Sequence, residues 1–207
     1  GWIARSQLAS AVSNAGGFGV IETSSGEVEI CKEEIRKMAS LTNKPFGINL
    51  PLLFLKDDSM VNFIVEHGIK FVTTSAGDPS KYIGVLKSAG ITVYHAVPNV
   101  AGAMKAINAG VDGLVVEGTE GGGFKGSEEV GLLVLIQAIR KQSNIPIIAA
   151  GGIVDGIGMA AVFAAGAEGI QMLSLIHISE PTRRTPISYA VFCLKKVDRP
   201  RDLSRRR

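Results

Sequence analysis

Seven short apolar runs alternate with helical patterns along residues 6–172, and this alternation limits the possible folds more than any other feature. Each run has four to six residues, the usual length of a buried strand. Strand–helix units that repeat in this way form a parallel sheet, because each connection has to cross back over the sheet. We therefore predict seven strands, at residues 18–21, 46–50, 71–74, 92–97, 113–117, 146–150 and 169–172.

The order of the predicted elements favours a (β/α)₈ TIM barrel. Helical patterns cover residues 6–14, 28–40, 59–66, 81–88, 102–108, 130–141 and 157–164. A barrel needs a strand before each helix, and no strand precedes residues 6–14, so we expect a truncated barrel whose first strand and last helix are missing. A doubly wound open sheet is the alternative fold. Either architecture places ligands at the C-terminal ends of the strands.

Residues 173–207 differ from the rest of the chain. One choice of codons for residues 173–179, LSLIHIS, resembles the end of a transposase-based sequencing adapter, and the resemblance continues to Lys196. We interpret residues 173–207 as a non-native tail and residues 1–172 as one domain, a fragment of the barrel. We also expect the 207-residue product to be inactive, because a barrel without its first strand leaves two unpaired strand edges.

Charge and cysteine content exclude several classes of protein. The whole chain has 22 Lys and Arg against 19 Asp and Glu, but nine of the basic and three of the acidic residues lie in the tail. Residues 1–172 thus carry a net charge of −3, and no nucleic-acid partner is expected. Their single cysteine, Cys31, rules out a disulfide framework and favours the cytoplasm. No apolar run reaches the length of a membrane span, so no membrane partner is expected.

A glycine pair after a predicted strand is the strongest local pattern. The segment IPIIAAGGIVD at residues 145–155 ends its strand at Gly151 and Gly152, and GAEGIQM at residues 166–172 adds a neighbouring strand. Backbone N–H groups of such glycines can approach an anion without obstruction by a Cβ atom. In TIM barrels the loops after the last two strands bind phosphate. We predict a phosphate site here; the alternative is that the glycines only tighten the turn.

Two further strand ends carry candidate ligand-binding residues. The segment EGTEGGGFKG at residues 117–126 follows a buried strand, and its glycines permit close approach to a planar or phosphorylated ligand. Asn49 lies near the end of the apolar strand FGINL, where its amide suits the mixed donor and acceptor edge of a flavin or nucleobase. A structural role for Asn49 in a loop is equally open.

Together these segments resemble a known family. GGFGVI, KPFGINLP, FVTTSAGDPSKYI, VPNV, GLVVEGTEGGG and IPIIAAGGIVDGIGMAAVFAAGAEGIQM are similar to the nitronate monooxygenases, also called 2-nitropropane dioxygenases, and to the FMN-dependent enoyl-acyl-carrier-protein reductases. The resemblance covers nearly all of residues 1–172 and implies an FMN-binding TIM barrel without a metal. It also implies which residues contact FMN: Asn49, Glu117, Gly122, Gly151, Gly152, Gln171 and Met172, with Gly151 and Gly152 at the phosphate.

One position departs from the family pattern. The family usually has a histidine near the flavin where this chain has Phe124, and phenylalanine cannot exchange a proton. The catalytic residue is therefore unknown. His95 is the candidate substitute, although a lone histidine in a strand is more often a structural hydrogen-bonding group. Lys125 and Ser75 are candidates for substrate contact; the alternatives are a solvated loop position for Lys125 and a role in the turn for Ser75.

The implied activity is oxidation of alkyl nitronates with O₂ to a carbonyl compound and nitrite. A nitronate is already an anion, so its oxidation can proceed without a base at Phe124. Glutamate at position 117 favours the alternative activity, NADH-dependent reduction of an enoyl thioester. A flavin-binding protein without turnover and a barrel acting on a phosphosugar are further alternatives. The partners expected are a small-molecule substrate, O₂ and, for the reductase, NADH. The oligomeric state is not predicted.

Overall fold

The computed structural model describes residues 3–24, 27–122 and 128–173, in which seven helices alternate with seven strands. The helices are α1 Ser6–Asn14, α2 Val28–Leu41, α3 Ser59–Glu66, α4 Ser80–Ser88, α5 Val100–Asn108, α6 Leu132–Arg140 and α7 Gly156–Ala164. The strands are β1 Gly19–Glu22, β2 Phe46–Pro51, β3 Phe71–Ser75, β4 Thr92–Val97, β5 Gly113–Glu117, β6 Ile147–Ala150 and β7 Gly169–Gln171. The predicted tail, apart from Leu173, lies outside the described residues.

The seven strands form one parallel sheet whose order follows the chain from β1 to β7. Each strand therefore pairs with the strand before and after it, as in a TIM barrel. A doubly wound sheet requires a point at which the strand order reverses, so the alternative fold is wrong. The seven described strands are consistent with a truncated TIM barrel, with β1 and β7 at the two edges of the sheet. The additional first strand remains a prediction.

All the helices pack on one face of the sheet, which we call the helix face. Strand residues such as Ile21, Leu50 and Val72 join one buried cluster with α2, α3 and α4. Leu114 and Ile147 join a second cluster with α5, α6 and α7. The residues that alternate with them point to the opposite side, the inner face, because successive strand side chains point to opposite faces.

Aromatic rings fill the inner face toward the N-terminal ends of the strands. Phe71 lies between Phe18, with ring centroids 5.0 Å apart, and Tyr94, with centroids 5.2 Å apart. Burial raises the pKa of the Tyr94 phenol. The rings need small neighbours, since a Cβ atom on Gly113 would lie 2.3 Å from the Tyr94 ring and one on Gly47 would lie 2.8 Å from Phe71. These three rings, which we call the aromatic floor, cover the inner face at the N-terminal ends of the strands.

The predicted and observed element bounds differ by one or two residues. Helices α1 and α3 and strands β4 and β5 begin and end where the sequence predicted. The largest difference is at α6, predicted at 130–141, because residues 130 and 131 lie in a loop rather than in the helix. A 3₁₀ turn at Leu52–Phe54 after β2 was not predicted. In the described part of the chain, no helix combines the length and the apolar character needed to cross a membrane.

Candidate functional site

Polar side chains cluster on the inner face toward the C-terminal ends of the strands. Glu22, Asn49 and Thr73 are paired in register across β1, β2 and β3. Because every strand runs in the same direction, the loops that follow the strands all lie at this edge of the sheet. The polar inner-face residues at this edge are Glu22, Asn49, Thr73, Ser75, Glu117 and Gln171. The sheet thus forms a cup with an aromatic floor and a polar rim.

Asn49 is held in one orientation by its neighbours. The Thr73 hydroxyl donates a hydrogen bond to Asn49 Oδ1 (3.0 Å), and the Thr23 hydroxyl donates to the Asn49 carbonyl oxygen (2.7 Å). The amide oxygen is therefore engaged, and the Nδ2 group is left to donate into the cup. A donor fixed in this way suits a carbonyl oxygen or ring nitrogen of a planar ligand.

Two carboxyl groups, those of Glu22 and Glu117, also lie on the inner face. The Ser24 backbone N–H donates a hydrogen bond to Glu22 Oε1, which ties this side chain to the loop after β1. The Glu117 side chain lies against the loop after β5, since a Cβ atom on Gly121 would be 2.7 Å from Glu117 Oε1. Glu117 is thus close to the glycine segment that the sequence singled out. Gly122 lies beside open space, where nothing described would meet an added Cβ atom.

Gly151 and Gly152 form a left-handed turn directly after β6. Their φ angles are +102° and +66°, a region that other residues rarely adopt. A Cβ atom on Gly151 would lie 2.8 Å from the Gly121 backbone nitrogen, so the loops after β5 and β6 pack directly against each other. Neither N–H group of this glycine turn donates to another described residue. These two donors are therefore suited to an anion.

The other residues that the sequence predicted to contact FMN or substrate do not all lie on the inner face. Gln171 lies on the inner face of β7, in register with Ala150. The Met172 side chain packs on the helix-face cluster, so only its backbone is positioned to contact a ligand in the cup. Ser75 lies on the inner face at the end of β3, beside Ala76, whose φ of +49° marks a strained turn. Phe124 and Lys125 lie outside the described residues.

The structure does not bring His95 to the cup. His95 lies between Val93 and Val97, which belong to the helix-face clusters, and its Nδ1 is 2.8 Å from the Thr74 hydroxyl. Burial, opposed in part by Asp78, lowers the pKa of His95 to about 4. The suggestion that His95 faces the flavin is therefore corrected, because a side chain on the helix face cannot reach a ligand on the inner face.

The donor set of the cup fits FMN. Ala96 and Ala150 place small side chains on the inner face, in the same cluster as Phe71 and Tyr94 of the aromatic floor. Asn49 supplies a donor at one side of that space, and Gln171 supplies an amide on β7. The N–H groups of the glycine turn, which donate to no described residue, suit the phosphate. Among the described residues, no group of three His, Cys, Asp or Glu side chains could hold a metal ion.

Comparison with known proteins supports this interpretation. The profile of the nitronate monooxygenase family matches residues 1–60 and 54–182. A structure described as FabK from Thermotoga maritima is 41% identical, with a TM-score of 0.77, and the match covers 82% of this chain and 54% of that chain. A nitroalkane oxidase from Streptomyces ansochromogenes is 27% identical, with a TM-score of 0.74, over 82% of this chain and 61% of the other.

Two curated relatives extend the comparison. A nitronate monooxygenase of Paraburkholderia phytofirmans is 30% identical over 211 residues, covering 80% of this chain and 58% of the relative. A hydroxy-methyl-oxo-octahydro-indene-carboxyl-CoA dehydrogenase of Mycobacterium tuberculosis is 33% identical over 174 residues, covering 83% of this chain and 49% of the relative. The chain thus spans about half the length of the curated relatives it matches.

Fold and site together define a class, an α/β protein whose parallel sheet is consistent with a truncated TIM barrel and has a polar cup at the C-terminal ends of its strands. Within that class, the chain belongs to the nitronate monooxygenase family. The named relatives, monooxygenases and dehydrogenases, are oxidoreductases.

Sequence reasoning missed three residues of the site. Glu22 and Thr73 alternate with apolar helix-face residues, so their period-two pattern could have assigned them to the inner face with Asn49. Glu120 joins the loops after β5 and β6, through contacts described below. No local pattern indicates these contacts, because they depend on segments that are distant in the sequence.

Proposed function

We propose that the full-length protein containing this chain is an FMN-dependent oxidoreductase of the nitronate monooxygenase type, which oxidises alkyl nitronates with O₂ to a carbonyl compound and nitrite. The observation that carries the proposal is the glycine turn at Gly151 and Gly152, whose two N–H groups donate to no described residue and follow directly after β6 at the polar rim of the cup. When bound, FMN would supply the redox chemistry that no protein side chain offers.

The residues of the cup have distinct roles in this proposal. Asn49, oriented by Thr73, donates a hydrogen bond to the flavin ring, and Gln171 provides a second amide contact from β7. Gly151 and Gly152 bind the phosphate through their backbone. Glu117 and Gly122 lie beside the ring, and the Met172 backbone contributes at the rim. The aromatic floor of Phe18, Phe71 and Tyr94 excludes water at the N-terminal end of the cup.

Substrate recognition is proposed at the open side of the rim. Ser75 stands at the end of β3, where a hydroxyl can donate to an anionic nitro group. We propose Lys125 as a second contact for the anion. A nitronate arrives without a proton to be removed, so this reaction does not need a general base.

A second candidate, an oxidoreductase acting on a thioester, is favoured by a separate observation. Two curated relatives, 31% and 33% identical to this chain, are both named as carboxyl-CoA dehydrogenases. Glu117 also agrees with the pattern of the FMN- and NADH-dependent enoyl-acyl-carrier-protein reductases. The two candidates share the same cofactor and cup, and they differ in substrate and electron donor.

The deciding experiment uses the complete gene product, purified and examined for a flavin spectrum. We expect a yellow protein that releases FMN on denaturation, consumes O₂ with an alkyl nitronate, and produces nitrite. Anaerobic bleaching of the flavin by NADH, without nitronate-dependent O₂ consumption, would instead support the thioester enzyme. A colourless protein that does not bind added FMN would refute both.

A separate preparation tests the prediction for the 207-residue product. Produced alone, this product should bind FMN poorly, because its edge strands β1 and β7 do not pair with each other. A cooperative thermal transition with stoichiometric FMN would contradict that prediction.

A further inference from the structure

Glu120 connects two loops of the candidate site through its carboxyl group. Both carboxylate oxygens accept a hydrogen bond from the backbone N–H of Leu132, the first residue of α6, at 3.2 Å from Oε1 and 3.0 Å from Oε2. Such a bond satisfies one of the N–H groups that have no partner within the helix. Glu120 therefore fixes the start of α6 to the loop after β5.

The stem of the same side chain packs against the glycine turn. A Cβ atom added to Gly152 would lie 3.0 Å from Glu120 Cβ and 3.4 Å from Cγ. The next residue along the loop, Gly121, is equally close to Gly151. Glu120 and Gly121 together therefore form the surface on which Gly151 and Gly152 rest.

Backbone hydrogen bonds hold this arrangement from both sides. Gly118 N–H donates to the Ala150 carbonyl oxygen (3.1 Å), which joins the ends of β5 and β6. Thr119 N–H donates to the Val130 carbonyl oxygen (3.0 Å), which joins the two ends of the loop that precedes α6. Between these two anchors, Glu120 is the side chain that spans from α6 to the glycine turn.

Carboxyl groups also occupy the start of both helices beside the turn. Glu120 accepts from the first residue of α6, and Asp155 caps α7 by accepting from the Gly158 N–H (2.8 Å). A helix N-terminus is otherwise favourable for phosphate, but here a carboxylate already accepts from one N–H group of each helix. The N–H groups of Gly151 and Gly152 donate to no described residue, so they are the donors that we assign to a phosphate.

We propose that Glu120 is a positioning residue for the phosphate of FMN. Without touching the phosphate, it sets the position of the glycine turn by joining that turn to the first residue of α6. This inference rests on the proposed cofactor. It predicts an effect that depends on the phosphate and is absent for a flavin that lacks one.

The test measures dissociation constants for FMN and for riboflavin, the same flavin without the phosphate, in the full-length apoprotein. We expect Glu120→Ala to weaken FMN binding about tenfold and riboflavin binding less than twofold, since only the phosphate contacts depend on the glycine turn. Glu120→Gln retains a hydrogen-bond acceptor and should lose only about threefold in FMN affinity. Glu129→Ala, on an exposed residue of the same loop, is the matched control and should change neither constant.

The possible results separate the inference from the proposed function. A parallel loss of FMN and riboflavin affinity in Glu120→Ala would mean general loosening of the fold and would overturn the positioning role, as would unchanged FMN affinity. If Glu120→Ala does not fold, the ratio of the two constants in Glu120→Gln decides in the same way. A wild-type protein that binds riboflavin but gains nothing from the phosphate would also overturn the inference, whereas failure to bind either flavin would overturn the proposed function itself.

Discussion

The Thr74 hydroxyl and His95 Nδ1 lie 2.8 Å apart on the helix face of the sheet, between neighbouring strands β3 and β4. This hydrogen bond joins two buried polar groups within an otherwise apolar layer, where an unpaired polar group would be costly. It explains how an otherwise apolar layer can contain a buried histidine. The pair joins β3 to β4 on the side of the sheet away from the cup.

Titration of His95 should make the fold sensitive to mild acid. The folded pKa is about 4 because of burial, below the ordinary value of 6.5, so the unfolded chain binds the proton more readily. The stability that depends on neutral His95 is therefore present above pH 6.5 and is lost as the pH falls toward 4, by at most about 3 kcal/mol. Denaturant unfolding at a series of pH values measures this, and His95→Gln should flatten the curve between these limits. An unchanged curve in the variant would contradict the assignment, and so would an enzyme whose turnover is abolished by His95→Gln.

Alanine at Gly151 should destabilise the protein and impair flavin binding. The residue has a φ of +102°, and the new Cβ atom would lie 2.8 Å from the Gly121 nitrogen, so we expect a loss of about 1–3 kcal/mol in unfolding free energy. Gly84→Ala in α4 is the control, since nothing lies within 4 Å of its Cβ position. That variant should gain about 0.5–1 kcal/mol from the lower entropy of its unfolded chain. Equal effects of the two substitutions in denaturant unfolding would refute the close packing of the two loops.

Removing the Asn49 amide should weaken FMN binding without unfolding the sheet. Asn49→Ala loses one oriented donor, and we expect the dissociation constant for FMN to rise about tenfold. Thr73→Val should raise it only about threefold, because it removes the group that orients Asn49 rather than the donor itself. The double variant should be less than additive, since both changes act on one contact. Thr92→Val, on an exposed strand residue, provides the control for fluorescence titration.

Arg140 should matter for stability and not for the flavin. Its guanidinium donates to the Gly166 carbonyl oxygen (2.9 Å) and to Glu168 (3.0 Å), and also to the Ile145 carbonyl oxygen, at the N-terminal ends of β6 and β7. Arg140→Ala removes these three hydrogen bonds, so we expect a loss of about 2 kcal/mol in unfolding free energy. Lys141→Ala, at the neighbouring exposed position, should change unfolding free energy by less than about 0.5 kcal/mol. A change in FMN affinity for Arg140→Ala beyond twofold would show that the two ends of the strands are coupled.

Much of the fold follows from local patterns in the sequence. Strands β4 and β5 and helices α1 and α3 were predicted to the residue, because short apolar runs and helical periodicity reflect local geometry. The sequence predicted that four polar residues lie near the C-terminal ends of strands. The structure places them there, on the inner face: Asn49, Ser75, Glu117 and Gln171. Their contacts with FMN remain predictions.

Other features depended on neighbours that the sequence does not reveal. His95 and Tyr94 are adjacent in a strand whose alternate residues are all compatible with burial, so polarity did not indicate which of them faces the helices. The bond to Thr74 depends on the register between β3 and β4. In the same way, Glu120 meets Leu132 and Gly152 only after three separate segments have folded together.

The sequence by itself determined the order of strands and helices, the parallel sheet and the glycines at its rim, because backbone preference and hydrophobic period act over a few residues. Only the tertiary structure decided which strand face became the cup and how Glu120 joins the two glycine loops. The same choice of face placed His95 on the side away from the cup. These features depend on strand register and on packing between distant segments, and the energy of such contacts exists only once the sheet has formed.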